Sequence, residues 1–353
     1  MSEPVRFVLV GAGGIAQSYA QAFDQHPNAK LVAVVDPRLD AAKALAAKFE
    51  CPAFATWQDA LVTGPAADAV IICTPPNTHE EITTAFLRRG VHVWCEKPFA
   101  LSSESARRMM TEAEKAGRLL TMASKFRYVQ DVIAAKRLIA GGTIGDVILF
   151  ENAFTGRVDM SKRWNSEPAV SGGGVLIDNG THSVDIMRYF LGPLAEVHAV
   201  EGKRTQALAV EDTARLFVRS EAGVMGSVDL SWSLNKELDW YVNVYGTRGC
   251  VQVGWKQSRY KNDKSAEWVV FGNGYDKVGA FRDQVANFSA AIRGMQMLRI
   301  TAQDAIASVE VIEAAYRSMR EAPWTGVFPR PVEITRTPLP GTLTSTDRRV
   351  VRG

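Results

Sequence analysis

The chain has 353 residues, of which 46% are hydrophobic and 22% are charged, and 41 lysines and arginines against 38 aspartates and glutamates give a net charge of +3. These fractions lie close to the globular averages of about 45–50% and about 25%, which excludes a mainly disordered, collagen-like or coiled-coil chain. The charge balance gives no reason to expect nucleic acid or a membrane as a partner. Because a single core rarely grows beyond about 250–300 residues, we expect two domains.

The N-terminal segment predicts a cytoplasmic location. It enters a strand directly, without the basic start and apolar core of a secretory signal. No apolar run approaches the roughly 18–20 residues that a membrane span needs. The four cysteines contain no Cys-x-x-Cys pair, so we expect free thiols and no structural zinc.

Strands and helices alternate over the first 124 residues. Apolar runs predict strands at 5–10, 31–36, 69–74, 91–96 and 118–124, and helical segments are predicted at 15–25, 40–49, 78–89 and 102–116. Such alternation with short connections is typical of an α/β fold with a doubly wound parallel sheet, which we assign to residues 1–124.

The pattern changes after residue 124. We expect helices at 129–140, 174–191, 279–293 and 301–322, a strand at 148–154, and several strands between 194 and 271. Many of these strands alternate apolar with polar residues, which predicts an α+β domain over residues 125–322 with a large, open, mostly antiparallel sheet. Residues 323–353 are rich in Pro, Thr and Arg, and we expect an extended C-terminal tail.

The outer face of such an open sheet needs to be covered. Trp232, Trp240, Tyr241 and Trp255 are candidates for an apolar patch on this face. We therefore expect a homodimer or homotetramer that associates through the sheet.

A glycine-rich turn joins the first strand to the first helix. Gly11, Gly13 and Ala16 form the pattern GxGxxA, with Gly14 between them. Gly11 permits the tight turn, Gly13 lets the backbone approach a pyrophosphate, and Ala16 lets the helix pack close to the sheet. The N–H groups at the start of the helix, near Ile15, are then free to bind phosphate.

The second strand ends in Asp36, whose carboxylate is placed to accept hydrogen bonds from the adenosine ribose. A 2′-phosphate would meet this carboxylate, so NAD is favoured over NADP. Arg38 can stack on adenine or pair with a phosphate, which leaves NADP open. Arg38 is equally well explained as a solvated cation at a helix start.

Two further strands end in polar residues at the same edge of the sheet, where ligands bind in open α/β folds. Thr74, Pro75, Asn77 and His79 follow the strand at 69–74 and are candidate cofactor contacts. The alternative makes Asn77 a helix N-cap and His79 a surface residue of the first turn.

The strand at 91–96 ends in Glu96-Lys97-Pro98, at the same sheet edge. Glu96 and Lys97 are further candidate cofactor contacts. An ammonium at this position can hold a substrate hydroxyl or help to deprotonate it. The alternative is a surface Lys–Glu pair before a turn.

The segment GGGVLIDNGTHSVDIMRYF (172–190) places Asp178 and His182 four residues apart on one helix, so both side chains emerge on one face. A histidine beside a carboxylate is a usable general base near neutral pH. The alternative is a capping aspartate and a core histidine. A metal site would need Asp185 as a third ligand and a bent helix, so we expect no metal.

Five motifs occur in a specific order: VGAGGIA, CTPPNTH, CEKPFA, GGGVLIDNGTHSVD and FRDQVANFSAAIRG. Over about residues 5–321 the chain resembles the glucose–fructose oxidoreductase, inositol dehydrogenase and rhizopine-catabolism (Gfo/Idh/MocA) oxidoreductase family. The resemblance implies a Rossmann domain, a second α+β domain with an open sheet, a nicotinamide cofactor, and oxidation of a secondary alcohol on a sugar, cyclitol or related polyol.

The resemblance also implies roles for individual residues. Lys97 matches the family's catalytic lysine, and Asp178 and His182 match its DxGxH segment. His182 would then be the general base, Lys97 would orient and polarise the hydroxyl, and Asp178 would position the substrate and His182. Some members carry tyrosine at the histidine position, whereas inositol dehydrogenase-like members carry histidine.

The sequence departs from the family pattern in two places. The usual Trp-Arg before the triple glycine appears as Arg163-Trp164-Asn165, and the Lys-Phe-Arg-Tyr run at 125–128 is not followed by the usual proline. We expect Arg127, Arg163, Trp164 and Asn165 to bind substrate, although Arg163 is equally well explained as a solvated charge.

Two other functions stay open. In a nucleotide-sugar or uronate dehydrogenase, an anionic group would be received by a set of basic residues: Lys125, Arg127, Arg157, Lys162 and Arg163. A non-catalytic, NAD(P)-binding regulator on the same scaffold is the other alternative. The complete set of Lys97, Asp178 and His182 argues against the regulator.

Overall fold

The computed structural model describes residues 3–24 and 26–321. The expected tail at 323–353 lies outside these residues. Within the described part of the chain, no helix is both long and apolar enough to cross a membrane.

Six parallel strands form the first sheet, in the order β3-β2-β1-β4-β5-β6. They are β1 (Val5–Val10), β2 (Ala29–Val35), β3 (Ala53–Phe54), β4 (Ala69–Ile72), β5 (His92–Glu96) and β6 (Leu120–Ala123). Helices alternate with them: α1 (Gly14–Phe23), α2 (Leu39–Ala46), α3 (Trp57–Thr63), α4 (His79–Arg88) and α5 (Ser103–Ala116). This confirms the α/β prediction, but β3 and α3 were not expected, since a two-residue edge strand leaves no run of apolar residues to detect.

Burial and helix capping account for two elements near the cleft, β4 and α5. Every residue of β4 is buried, as expected for a central parallel strand with helices on both faces. The α5 helix begins after Ser102, whose Oγ accepts a hydrogen bond from the N–H of Ser105 at 3.1 Å. It ends at Gly117, which has a φ of 62° that favours glycine.

The second part of the chain forms an eight-stranded sheet in the order β14-β13-β12-β11-β7-β10-β9-β8. The elements from residue 130 onwards are α6 (Gln130–Ala140), β7 (Val147–Thr155), α7 (Pro168–Ser171), α8 (Val175–Leu191), β8 (Leu194–Glu201), β9 (Thr213–Ser220), β10 (Met225–Ser231), β11 (Trp240–Gly246), β12 (Gly249–Gly254), β13 (Ser258–Asn262), β14 (Val269–Gly272), α9 (Lys277–Ile292) and α10 (Ala302–Glu321). Neighbouring strands are antiparallel except β7 and β10, which confirms a mostly antiparallel sheet. The short strand β13 was not predicted.

The α9 helix returns to the first sheet. Its residues Phe281, Val285 and Phe288 are buried in the same core as Phe7 and Trp94. The ring centroids of Trp94 and Phe288 lie 5.8 Å apart. One helix of the second part of the chain therefore forms part of the hydrophobic core that packs against the first sheet.

The prediction for the outer face of the second sheet is wrong for two residues. Tyr241 and Trp232 are buried. Tyr241 lies at an irregularity between Trp240 and Val242, where the strict alternation of side chains is lost. Trp255 is 39% exposed, and it lines the cleft described below.

Candidate active site

A cavity of about 460 Å³ lies between the carboxyl edge of the first sheet, the start of α8 and the second sheet. It collects the predicted Lys97, Asp178 and His182, together with Glu96 and Thr74, into one site. A second cavity of about 440 Å³ shares Ile15, Asp178 and several other residues with it and reaches Gly13 and Gly14. The predicted cofactor turn and the predicted catalytic residues therefore border one continuous region.

The glycine turn has the geometry that its motif requires. Gly11 has a φ of 98°, and a Cβ there would lie 2.8 Å from the carbonyl of Cys73. At Gly13 and Gly14 a Cβ would meet nothing within 4 Å. Gly11 thus permits close packing of the turn on the sheet, whereas Gly13 and Gly14 leave open space where a pyrophosphate can approach the start of α1.

Asp36 lies beside this turn at the end of β2. Its Oδ2 accepts from the N–H of Ala12 at 2.8 Å, and its Oδ1 accepts from the N–H of Arg38 at 2.9 Å. Burial opposes ionisation, but these N–H groups and the Arg38 guanidinium together hold the pKa of Asp36 below its usual value. The carboxylate is thus ionised and fixed beside the turn, so the residues present fit the ribose and pyrophosphate of NAD.

His79 does not face the cleft, which corrects the expected cofactor contact. The side chain is completely buried. Its Nδ1 lies 2.9 Å from the carbonyl oxygen of Pro98, and its Nε2 lies 2.9 Å from that of Thr74. His79 therefore links the two loops that follow β4 and β5. Asn77 is exposed and lies in a 3-10 turn before α4, not at the N-cap of that helix.

Lys97 and Asp178 form an ion pair across the cleft. Lys97 Nζ lies 2.5 Å from Asp178 Oδ1 and 3.3 Å from the Asp178 backbone oxygen. The side chains are 18% and 17% exposed, so the pair is shielded from water without being sealed off. Lys97 is thereby oriented by α8 although it is carried by the loop after β5.

Glu96 forms part of the cavity wall and is anchored from behind. The Tyr19 hydroxyl donates to Glu96 Oε1 at 2.5 Å, and the N–H of Lys97 donates to Oε2 at 3.0 Å. Burial raises the pKa of Glu96, while the Tyr19 hydroxyl and the Lys97 ammonium act in the opposite direction. These bonds hold the loop that presents Lys97.

His182 lines the cavity, and no carboxylate of the described residues is paired with it, which corrects the predicted histidine–carboxylate pair. Asp178 binds Lys97, and Asp185 lies 2.6 Å from Arg127. His182 Nδ1 is buried and has no hydrogen-bond partner within residues 3–24 and 26–321. Burial, Lys97 and Lys125 hold the pKa of His182 well below its usual value, so the imidazole is neutral at ordinary pH.

Arg127 lies away from the cavity, which corrects its expected contact with substrate. It is 5% exposed. Its guanidinium lies 2.6 Å from Asp185 Oδ1 and 3.5 Å from Asp304 Oδ1. The Ser124 hydroxyl donates to the other Asp185 oxygen at 2.6 Å. Arg127 therefore fastens the segment after β6 to α8.

The other residues of the expected substrate wall are divided between the two cavities. Trp164 and Asn165 line both, whereas Arg163 lines only the cavity that reaches Gly13 and Gly14. Sequence patterns did not single out the aromatic side chains Phe126 and Phe154, which also line the larger cavity. The alternation of β7 marks Phe154 as an inward residue, but not as a residue of the cleft.

A parallel sheet with this glycine turn and carboxylate, joined to a second sheet across a shared cleft, defines a two-domain NAD-binding oxidoreductase. Comparison with known families gives the same class. The model of the oxidoreductase family GFO/IDH/MocA, with its NAD-binding Rossmann fold, matches residues 5–124. The model of the GFO/IDH/MocA C-terminal domain matches residues 132–252. The chain belongs to the Gfo/Idh/MocA family of oxidoreductases and uses NAD as its cofactor.

Individual relatives are similar over most of the chain. The inositol 2-dehydrogenase of Rhizobium meliloti (strain 1021) is 27% identical over 341 residues, which cover 90% of this chain and 97% of the relative. The D-glucoside 3-dehydrogenase of Escherichia coli (strain K12) is 33% identical over 221 residues, which cover 61% of this chain and 62% of the relative. The crystal structure of GenD2 from gentamicin A biosynthesis, in complex with NAD, has a TM-score of 0.81 at 28% identity and covers 91% of this chain and 95% of that one.

Proposed function

We propose that the protein oxidises a secondary alcohol of a sugar, a cyclitol or a related polyol, with His182 as the general base. The observation that carries this proposal is that the cavity lined by a neutral imidazole and the Lys97–Asp178 ion pair shares Ile15 and Asp178 with the cavity that reaches a turn that fits NAD. The names of the relatives support the substrate class, since they act on inositol and on D-glucosides.

The roles follow from the charges of the three side chains. Lys97 donates a hydrogen bond to the substrate hydroxyl oxygen and favours its alkoxide character. His182 accepts the hydroxyl proton as the C–H bond breaks and the carbonyl forms. NAD, when bound, supplies the hydride acceptor and loses its own positive charge in the reaction. Asp178 keeps Lys97 aimed into the cavity through the contact at 2.5 Å.

The depressed pKa of His182 suits this role. An imidazole that is already neutral has a free nitrogen lone pair and needs no prior deprotonation. Lys97 and Lys125 disfavour the imidazolium before the reaction. His182 would gain its proton in the reaction in which bound NAD would give up its positive charge, so the total positive charge of the site would not rise.

A broad assay tests the proposal. Purified protein with NAD is supplied with inositols, hexoses, glucosides and uronic acids, and formation of NADH is followed by absorbance. Turnover of at least one of these alcohols is expected. Tight binding of NAD without turnover of any of them would favour the regulator, and absence of NAD binding would overturn the proposal as a whole.

We also propose association through the outer face of the second sheet, as a homodimer or homotetramer. Phe217 on β9 and Met225 on β10 are 46% and 56% exposed on this face. Arg219 pairs with Met225 across the two strands and forms an exposed ion pair with Glu196. Large apolar side chains that remain exposed on a sheet face are a feature of interfaces. Light scattering is expected to give twice or four times the chain mass, and a monomer at micromolar concentration would contradict the interface.

A further inference from the structure

Lys125 is a second ammonium group in the same cavity. It begins the short turn at 125–128, after β6, and β6 lies beside β5, which ends in Glu96 and leads into Lys97. Ser124 and Arg127, on either side of it, are both bound to Asp185 on α8. The backbone that carries Lys125 is therefore fixed relative to α8, which presents Asp178 and His182.

No carboxylate of the part of the chain that the structure describes forms an ion pair with the ammonium of Lys125. No Asp or Glu oxygen of the described residues lies within 4 Å of its Nζ, whereas Lys97 is paired with Asp178. The Glu96 oxygens are engaged by the Tyr19 hydroxyl and by the N–H of Lys97. Lys125 Nζ instead lies 5.3 Å from the ring centroid of Phe126 and 5.9 Å from that of Tyr275.

Partial burial of Lys125 costs free energy unless an anion reaches the ammonium, because it removes hydration that the two ring faces replace only in part. The charges facing Lys125 are Lys97 and Glu96 from β5 and the loop after it, Asp178 from α8, and Lys277 from α9. Burial and Lys97 lower the pKa of Lys125 to about 8. Lys125 is therefore still a cation at neutral pH and becomes neutral in mildly alkaline solution.

We propose that Lys125 binds a carboxylate on the substrate, so that the protein acts on acidic sugars such as uronic acids or their glycosides. This inference rests on the proposed function. A carboxylate suits a lone ammonium better than a phosphate, because a dianion requires further donors and the neighbouring Lys97 is shared between Asp178 and the reacting hydroxyl. The aromatic wall of Phe126, Phe154 and Trp255 leaves room for the apolar face of a sugar ring next to this cation.

The test compares two pairs of alcohols that differ only by a carboxylate: glucuronate with glucose, and methyl glucosiduronate with methyl glucoside. The variant Lys125→Met removes the charge and keeps the length of the side chain. Lys115→Met, an exposed position on α5, is the matched control. We expect the unaltered enzyme to prefer the acid by about tenfold or more in kcat/KM, the size of one charge-assisted contact.

Lys125→Met is expected to abolish this preference, because the KM of the acid rises relative to that of the neutral partner. Any change of kcat that results from the loss of a cation near His182 should be the same for both partners. The KM of the acid should rise as the pH passes about 8, and that of the neutral sugar should not. Equal losses for both partners, or a preference of the unaltered enzyme for the neutral sugar, would overturn the inference while leaving the dehydrogenase intact.

If none of the four compounds is oxidised, the carboxylate site can still be tested by measuring how tightly the sugars bind. In that case, the fluorescence of bound NADH is titrated with glucuronate and with glucose. Stronger binding of glucuronate that Lys125→Met abolishes would support the carboxylate site even though the proposed reaction had failed. Equal binding of both sugars would overturn the carboxylate site.

Discussion

Lys97 Nζ lies 2.5 Å from Asp178 Oδ1, and this contact joins the loop after β5 to the first turn of α8. The two residues are 81 positions apart in the chain. Because the ammonium is held by the opposite wall of the cleft, Lys97 is in place before any ligand arrives. Preorganised donors of this kind contribute strongly to catalysis, since they need not reorient during the reaction.

Removal of the Lys97 charge should therefore abolish most of the activity. In Lys97→Met we expect kcat to fall by about 10²–10⁴, the usual contribution of a positioned proton-transfer or polarising group. NAD binding should change little, because the turn at Gly13 is untouched. Steady-state kinetics and NAD titration check both points, with Lys115→Met as the control. Full activity of Lys97→Met would contradict its role.

The titration of His182 provides a second test. Burial, Lys97 and Lys125 all disfavour the imidazolium, so the ring should remain neutral while an ordinary histidine becomes protonated near pH 6.5. Nuclear magnetic resonance of protein labelled at its five histidines measures this directly, and His182→Ala identifies the signal. A titration midpoint at or above pH 6.5 for that signal would show that burial and the surrounding cations do not lower the pKa of His182.

Substitutions at two glycines of the turn should have different effects, one on the affinity for NAD and the other on the stability of the fold. Gly13→Val places a side chain in open space at a φ of −73°, so folding should be unaffected while the affinity for NAD falls by about tenfold or more. Gly11→Ala instead meets the Cys73 carbonyl at a positive φ and should lower the free energy of unfolding by about 1–3 kcal/mol. Calorimetry and urea unfolding distinguish the two effects. Equal loss of stability in both variants would contradict this assignment.

The buried ion pair of Arg127 should be structural. Arg127→Met leaves Asp185 buried without its cation, and we expect the free energy of unfolding to fall by about 3–5 kcal/mol. Arg219→Met, which breaks the exposed pair with Glu196, serves as the control and should cost at most about 1 kcal/mol. Urea unfolding measures both. Similar, small losses in the free energy of unfolding for both substitutions would show that Arg127 does not stabilise the contact between the segment after β6 and α8.

Local signals in the sequence predicted the parts of the site that depend on local geometry. The glycine turn, Asp36 and Lys97 follow strand ends, and a sheet edge brings strand ends together. The spacing of Asp178 and His182 correctly placed both on one helix. The comparisons confirm the family, the fold class and the cofactor.

Partners that are distant in sequence could not be predicted in the same way. Spacing on α8 suggested that Asp178 would contact His182, but Lys97, a cation in the loop after β5, binds it instead. Arginine usually lies at the surface, and only the fold shows that Arg127 forms an ion pair with Asp185 in the core. Trp232 was expected outside for a similar reason, since its burial depends on how the chain turns after β10.

We propose that His182 takes the proton of a secondary alcohol whose hydride passes to NAD. A single-turnover experiment with saturating NAD, using any polyol that the enzyme oxidises, tests it most directly in the unaltered enzyme and in His182→Ala. We expect the variant to bind NAD and polyol with nearly unchanged affinity but to form NADH about 10²–10⁴ times more slowly. Formation of NADH at the unaltered rate in His182→Ala would contradict it.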